Sequence, residues 1–512
     1  MGQTTVILMI ITILSKLFGF VRESVMAAIL GTGEIKSIYV TATTIPDIMM
    51  YTVIVGIVSS YIPVYTKVQA EKGEKAARDF TSNLINLLMV YGFFTFILVT
   101  IFASQIAKIF SPNLSGKSLQ MAASFTRIMA LSIFTFLYSS VIRGYLNAKN
   151  NFLDPAFTGI ILNVLVIAST ILTGIFNNPY ILIIGTLLGF ILQFVRFPFA
   201  SKKKGFAYKK ILNFKDPYIK YLLAMMVPII ISSAANKIAI LIDKSMASAY
   251  LGLGSVAKIF YTENMLDFIV EVFTISIATI TFPQVAKLAN QGQIEKMKDK
   301  TSQSLILTLA LVIPATLGMV ALINPIIRLI YERNAFTPED TRIVASLIVA
   351  YSPYIIFISF IKIISNSFYA VGDYKSPLII ILIQQVINVI LNIILAPKIG
   401  INGIGIATSV STIIGSLILF FVYFNKFGKS KDIRKIISVI KIIISSCVMV
   451  LVADFTYKFL LEKLATWTSL LVTIILSGIC YAVIISIIKV DEIDRIKDEI
   501  FWSLKYEFRK QE

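Results

Sequence analysis

Histidine is absent from the 512 residues, and that gap removes several kinds of chemistry together. No imidazole proton relay, His-ligated metal or Ser-His-Asp triad can be built. Cysteine is almost as scarce. Cys447 and Cys480 both sit inside apolar runs and read as small buried hydrophobes, not as a disulfide or redox pair. Charged residues make up only 15% of the chain, where soluble domains carry ~25%. Acids are the scarcer sign, with 28 Asp and Glu against 47 Lys and Arg. No Gly-rich phosphate loop and no outstanding pair of loop acids is present, so the enzyme classes that need them find no footing.

What the chain has instead is apolar surface, at 57% of residues and a mean hydropathy of +0.84. No soluble core could hide so much. A bilayer accepts it as helices of ~20 residues. Apolar runs broken by charge, Gly or Pro predict fourteen spans, at 5–29, 37–61, 81–105, 121–146, 156–177, 179–199, 219–248, 258–284, 303–324, 343–369, 377–397, 402–425, 436–457 and 466–488. The first run has no basic stretch before it and no small-residue cleavage site after it, so it reads as a retained helix.

A net charge of +19 would suggest nucleic acid in a soluble protein. Here Lys and Arg collect in alternate loops, notably 202–215, 287–300 and 426–435. That bias sets orientation and makes the lipid bilayer, not nucleic acid, the expected partner. Both termini are then expected to be cytoplasmic. The tail, 489–512, mixes charge with Phe501, Trp502 and Tyr506 and is expected to lie on the inner face. The longest outer loop carries Glu332, Glu339 and Asp340, which read as a solvated turn at Thr337-Pro338-Glu339-Asp340.

Residues about 220 apart match in order. Leu30-Gly31-Thr32-Gly33 pairs with Leu251-Gly252-Leu253-Gly254, Ile38-Tyr39 with Ile259-Phe260, and Pro63 and Lys67 with Pro283 and Lys287. Ala148, Asn151, Phe152 and Pro155 pair with Ala370, Asp373, Tyr374 and Pro377. An offset of six helices gives two parallel copies, a transporter plan with the substrate path between lobes. The fold class is therefore an all-α polytopic membrane protein of two six-helix lobes plus two C-terminal helices. Its parts are an N-lobe (1–200), a basic cytoplasmic linker (201–218), a C-lobe (219–425), the extra helix pair (426–488) and the tail.

Ionisable groups at mid-bilayer cost at least ~2.5–3.5 kcal/mol and face a partner or a wet cavity. Lys16, Arg22 and Glu23 lie in the first span, Asp243 and Lys244 in the seventh, Lys362 in the tenth. Glu263, Asp267 and Glu271 recur every four residues along the eighth and share one face. Arg127, Arg143 and Arg196 stand near span ends, where long side chains snorkel. Asn388 and Asn392, one turn apart, and Thr408 with Asp243 offer hard oxygen ligands for a small alkali cation. Hydrogen-bonded helix packing is the competing role for the same residues.

Ser15-Lys16-Leu17-Phe18-Gly19-Phe20-Val21-Arg22-Glu23 resembles the opening signature of the MurJ (MviN) lipid II flippases. So do Tyr61-Ile62-Pro63-Val64-Tyr65, Arg143-Gly144-Tyr145-Leu146-Asn147-Ala148, and Phe368-Tyr369-Ala370 through Asp373-Tyr374-Lys375-Ser376-Pro377. The resemblance implies a V of two lobes that open alternately. It implies an undecaprenyl-pyrophosphate substrate carrying the peptidoglycan disaccharide-pentapeptide, and cell-wall synthesis proteins as partners. It further implies a basic cavity in the first lobe, a groove by the last two helices for the lipid tail, and Na+ or the membrane potential as the driving force, with no cofactor. Lys16, Arg22, Glu23, Glu263 and Asp267 are the expected substrate contacts; Asp243, Asn388, Asn392 and Thr408 are the expected cation site. The chain departs from the family pattern where Lys16 replaces the first signature arginine, Met50 and Asn264 replace arginines, Ser37 replaces an aspartate, and Asn392 stands where the family admits an acid. Carriage of another polyprenyl-linked oligosaccharide, or of small molecules as in the multidrug (MATE) exporters, stays open. A polyprenyl-dependent glycosyltransferase is disfavoured by the short loops.

Overall fold

The computed structural model of the protein describes residues 2–428 and 433–490. The expected amphipathic tail beyond Val490, with Phe501, Trp502 and Tyr506, lies outside the described residues, as does part of the 426–435 loop. Every described element is helical. Two compact units form, Met1–Phe260 with Ile330–Asp340, and Tyr261–Leu329 with Thr341–Glu512.

The first unit contains α1 (Gly2–Leu30), α2 (Glu34–Ile101), α3 (Ala103–Phe110), α4 (Gly116–Ala130), α5 (Ser132–Ala148), α6 (Leu153–Ala156), α7 (Thr158–Phe176), α8 (Pro179–Leu192), α9 (Arg196–Lys203) and α10 (Pro217–Leu251). It also takes the start of α11 (Gly254–Ile269). α2 covers both the second and third expected spans and bends at Gly73, whose φ of 80° only glycine adopts cheaply. Ile45-Pro46-Asp47 lies inside α2, and the helix absorbs both Pro46 and Pro63. α10, which the repeat assigns to the second lobe, clusters with the first unit because it packs along α2.

The second unit continues α11 into a π-helical turn, Val270–Ile275, and α12 (Ser276–Asn290). Then follow α13 (Ile294–Ala321), α14 (Ile323–Ile330), α15 (Pro338–Ala370), α16 (Lys375–Ile399), α17 (Ile401–Phe427), α18 (Ile433–Leu461) and α19 (Thr466–Ile488). Eleven helical stretches among the described residues are long and apolar enough to cross a membrane, the 68-residue α2 being one of them. The protein is a multi-pass membrane protein.

Family-like motifs turn out to carry packing. The Tyr61 and Tyr65 rings stack at 5.6 Å, and Tyr145 meets Tyr65 edge-on at 5.7 Å. A Cβ on Gly144 would lie 2.6 Å from the Tyr61 ring, so only glycine admits this approach. Tyr61 shares a 2.6 Å hydrogen bond with Thr81, and Tyr145 donates to the Lys204 carbonyl at 2.8 Å. The basic linker is pinned to α2: Asn83 accepts from the Asn213 N–H and donates to its carbonyl, and Asn86 donates to the carbonyls of Lys209 and Ile211.

Two expectations are corrected here. The Thr337-to-Asp340 segment is a capping box rather than a solvated turn. The Asp340 carboxylate accepts from the Thr337 N–H at 3.0 Å and hydroxyl at 2.8 Å, Thr337 accepts back from the Asp340 N–H, and Pro338 opens the helix. Asp340 is buried and also takes the Thr32 hydroxyl, with Lys258 at 3.6 Å. The cysteines are unpaired, but Cys447 is exposed on α18 and Cys480 half-exposed. In a helix that meets lipid, an apolar run faces outward as readily as inward.

Candidate functional site

α1 is continuous through Lys16, Arg22 and Glu23, so residues six apart point in different directions. Lys16 is exposed on the surface of the first unit. Arg22 and Glu23 turn inward and are joined by a residue the sequence reading passed over, Lys36. Glu23 Oε1 accepts from Arg22 Nε at 3.0 Å and Nη2 at 2.7 Å; Glu23 Oε2 accepts from Lys36 Nζ at 3.1 Å. The third arm of the guanidinium, Nη1, donates to Asn163 Oδ1 at 3.0 Å, and Asn163 in turn donates to the Ser15 carbonyl at 3.1 Å. Burial is graded along the cluster. The Lys36 side chain is 0% exposed, that of Glu23 6% and that of Arg22 25%.

Lys36 is held by more than the carboxylate. Its ammonium stands 4.6 Å from the Phe260 ring centre and 5.6 Å from that of Tyr39, with Met26 Sδ at 3.3 Å. Tyr39 and Phe260 are the repeat-related pair, so the internal symmetry supplies both walls of the lysine's pocket. Lys244 approaches the same Phe260 ring at 5.7 Å, and Asp243 beside it is buried. A second intramembrane pair, also unforeseen, joins Lys237 on α10 to Asp47 on α2 at 2.6 Å, with Lys237 over Tyr51 at 4.2 Å.

Of the second unit's expected residues, Glu263 is half-buried, while Asp267 and Glu271 are exposed on the unit's surface. The stripe runs into the π-helical turn, a feature that often marks functional sites. Lys362 on α15 interacts electrostatically with Asp267, so two charges read separately in the sequence belong together. Thr274, in the π turn, donates to Ser359 of α15 at 2.6 Å.

Asn388, Asn392 and Thr408 also come together, as links in a hydrogen-bonded ladder between α16 and α17. Asn392 donates to Asn388 at 3.1 Å, Asn388 to Thr408 at 3.0 Å, and Gln384 to Thr412 at 2.9 Å. Asp243, the acid expected to join them, belongs to the first unit. The remaining arginines stand at helix ends as expected for Arg196, which pairs with Asp154 at 2.6 Å; Arg127 donates to the Thr100 carbonyl and Arg143 is half-buried. Where the sequence departs from the family's charges, the neutral replacements are enclosed. Met50 is 0% exposed within the apolar core, and among the described residues neither the buried Ser37 hydroxyl nor the buried Asn264 amide nitrogen has a hydrogen-bond partner.

Outside the spans, Asp373 is half-buried at the turn into α16. Burial works to raise its carboxyl, but the Lys426 ammonium and the Ser376 N–H and hydroxyl outweigh it and hold the group at about 2.

A chain whose described elements are all helical and many-spanning, with two buried cations sharing one acid on its first two helices, is a membrane transport protein. The family model described as "Lipid II flippase MurJ" matches residues 26–477, and the chain belongs to that family. A probable lipid II flippase MurJ of Rickettsia prowazekii is 29% identical over 80% of this chain and 81% of its own. A Thermotoga maritima relative of the same description is 27% identical over 80% and 82%. Among solved structures, a lipid II flippase MurJ in an inward closed conformation matches at 25% identity and a TM-score of 0.80, over 94% of this chain and 98% of that one. An inward-facing MATE multidrug transporter shares the fold, with a TM-score of 0.68 at 13% identity over 82% of this chain and 98% of that one.

Proposed function

We propose that this chain flips lipid II, the undecaprenyl-pyrophosphate-linked peptidoglycan precursor, from the inner to the outer leaflet of a bacterial cytoplasmic membrane by alternating access. The observation that carries the reading is the family membership over most of the chain, with the Arg22–Glu23–Lys36 cluster as the chemistry that suits it. A diphosphate brings about two negative charges into a low-dielectric slab, and a guanidinium answers phosphate with a bidentate fork. Expression in a strain depleted of its own lipid II flippase tests this. Restored growth and cell shape support the reading; lysis at normal membrane levels of the protein overturns it.

A second reading, another polyprenyl-linked oligosaccharide, draws on the enclosure of Met50 and the neutral Ser37 and Asn264 at positions where the family pattern has charge. Translocation of lipid II and of a glycan lipid without peptide, compared in reconstituted vesicles, separates the two. Na+ or the membrane potential as driving force, and cell-wall synthesis proteins as partners, belong to the same proposal.

Both termini and the 201–218 linker are proposed to be cytoplasmic. The linker's left-handed Gly205 (φ 85°) is a poor site for a label, because a side chain there is strained. Lys203→Cys, exposed at the end of α9, in a background lacking Cys447 and Cys480, should resist an impermeant thiol reagent in intact cells. Labelling there would invert the topology.

A further inference from the structure

Resting on the diphosphate-lipid reading above, we propose that Lys36 is a positioning residue that sets the charge the first unit offers to its substrate. By taking one oxygen of Glu23, it leaves the Arg22 guanidinium with an uncompensated positive charge for a diphosphate.

Two cations share one carboxylate. Arg22 places Nε and Nη2 on Oε1 alone, while Lys36 holds Oε2. The triad sums to +1, from two cations and one anion. Removal of Lys36 would leave a closed, neutral Arg22–Glu23 pair whose remaining guanidinium arm is already given to Asn163. Elsewhere in the unit Asp47 pairs with Lys237, and Asp243 and Lys244 bring one charge of each sign.

The gradient of exposure says where the excess is presented. Lys36 is fully enclosed by Tyr39, Phe260 and Met26 and cannot touch a substrate. Arg22 is the one member with appreciable exposure, at 25%. The hidden ammonium therefore neutralises the acid from behind, and the accessible guanidinium carries the surplus. Stability alone does not demand this arrangement, because well-packed apolar residues often replace buried ion pairs without loss, and Met fills a lysine-shaped space.

The experiment measures affinity for geranylgeranyl diphosphate, a diphosphate lipid without a glycan, by the purified full-length protein in nanodiscs. Wild type, Lys36→Met, Glu23→Gln and the double variant are compared, with a melting temperature for each. Lys36→Met (triad charge 0) should bind on the order of tenfold more weakly than wild type. The double variant (+1) should return to within about threefold of wild type, and Glu23→Gln (+2) should bind on the order of tenfold more tightly than the double variant. A merely structural lysine would not be rescued by removing its acid. Wild-type affinity in Lys36→Met, or a double variant as weak as Lys36→Met, overturns the proposal. Should Lys36→Met fail to fold, the double variant against Glu23→Gln decides: equal affinity in those two also overturns it. A wild-type protein that binds no diphosphate lipid overturns the substrate reading itself, an outcome distinct from a lost ranking among variants.

Discussion

The two copies of the internal repeat keep the same turns and spend their polar residues differently. At the end of α5 the Asn151 N–H returns to the Leu146 carbonyl at 2.8 Å, and at the end of α15 the Asp373 N–H returns to Phe368 at 2.9 Å. The residue before each, Asn150 or Gly372, takes the left-handed conformation, with φ of 56° and 76°; this is one helix-ending motif used twice. Gly31 and Gly252 likewise share positive φ. Asn151 then caps the Asp154 N–H, as Asp373 caps that of Ser376. Within the spans the aromatic pair Tyr39 and Phe260 is kept, and the polar residues diverge. The first copy holds the ionic triad on α1 and α2, and the α16–α17 pair of the second holds a neutral amide and hydroxyl ladder. An ionic cluster can answer a charged substrate; a neutral hydrogen-bonded ladder chiefly fixes two helices against each other. The repeat thus supplies the frame, and side chains divide the labour.

The largest expected effect breaks the comparison at its ionic side. Arg22→Ala should abolish complementation while the protein remains in the membrane at normal level, since Glu23 keeps Lys36 as partner. Arg22→Lys should recover part of the activity, lacking the bidentate fork. Full complementation by Arg22→Ala would mean that the cluster is structural and would favour a substrate other than lipid II.

Next comes the acid of α10. If a sodium ion drives the cycle through Asp243, Asp243→Ala should remove any sodium-dependent shift between conformations, followed by distance measurements between spin labels on the two units. Unchanged sodium dependence takes Asp243 out of the mechanism. The ladder residues then stand as helix glue alone.

Much of the frame was legible in the sequence because hydropathy and turn residues are local signals. Each expected span falls on helix, and the repeat announced itself through Gly31-Thr32-Gly33 and Asp373. The site was legible only in part. Arg22 and Glu23 stood out because charge inside an apolar run is conspicuous. Lys36 did not, because it follows Glu34 and a glycine turn and looks like a loop-end lysine; only the fold encloses it between two aromatic rings. Asp340 was misjudged for the same reason, as its acid-rich surroundings conceal that Thr32 and Lys258 reach it. The Lys237–Asp47 pair depends on α10 lying along α2, a tertiary fact that no local pattern encodes. Conversely, Asn388 and Asn392 suggested a cation site by type and spacing, and the structure pairs them with each other.

A smaller effect is expected on the neutral side. Asn388→Leu removes the donor to Thr408 and the acceptor for Asn392. Interhelical hydrogen bonds in membranes are worth about 0.6–1.7 kcal/mol each, so the variant should melt a few degrees lower in detergent, with flipping otherwise retained. Loss of activity without loss of stability would instead draw the ladder into the transport mechanism.

The smallest effect tests the clamp that both copies share. The first copy ties Asp154 to Arg196, and the second ties Asp373 to Lys426. Asp373 is the better probe because its carboxyl is held at about 2, against partial burial, by Lys426 and Ser376. The unfolded chain's aspartate titrates near ~3.9. A depressed folded value means that the contribution is fully present above the unfolded one and is lost as pH falls toward the folded one, so the window runs from about 4 down to about 2. Asp373→Asn keeps the cap to the Ser376 N–H, since asparagine caps as well as aspartate, and deletes only the charge. The pair is partly solvated, and such pairs are worth about 0–1 kcal/mol. At pH 7 the variant should therefore melt only about a degree or two lower than wild type. Between pH 4 and pH 2 wild type should lose that margin and the two curves should converge. A difference that persists unchanged at pH 2 would show that the Asp373 charge does not stabilise the turn, and that the second copy's clamp rests on its backbone cap alone.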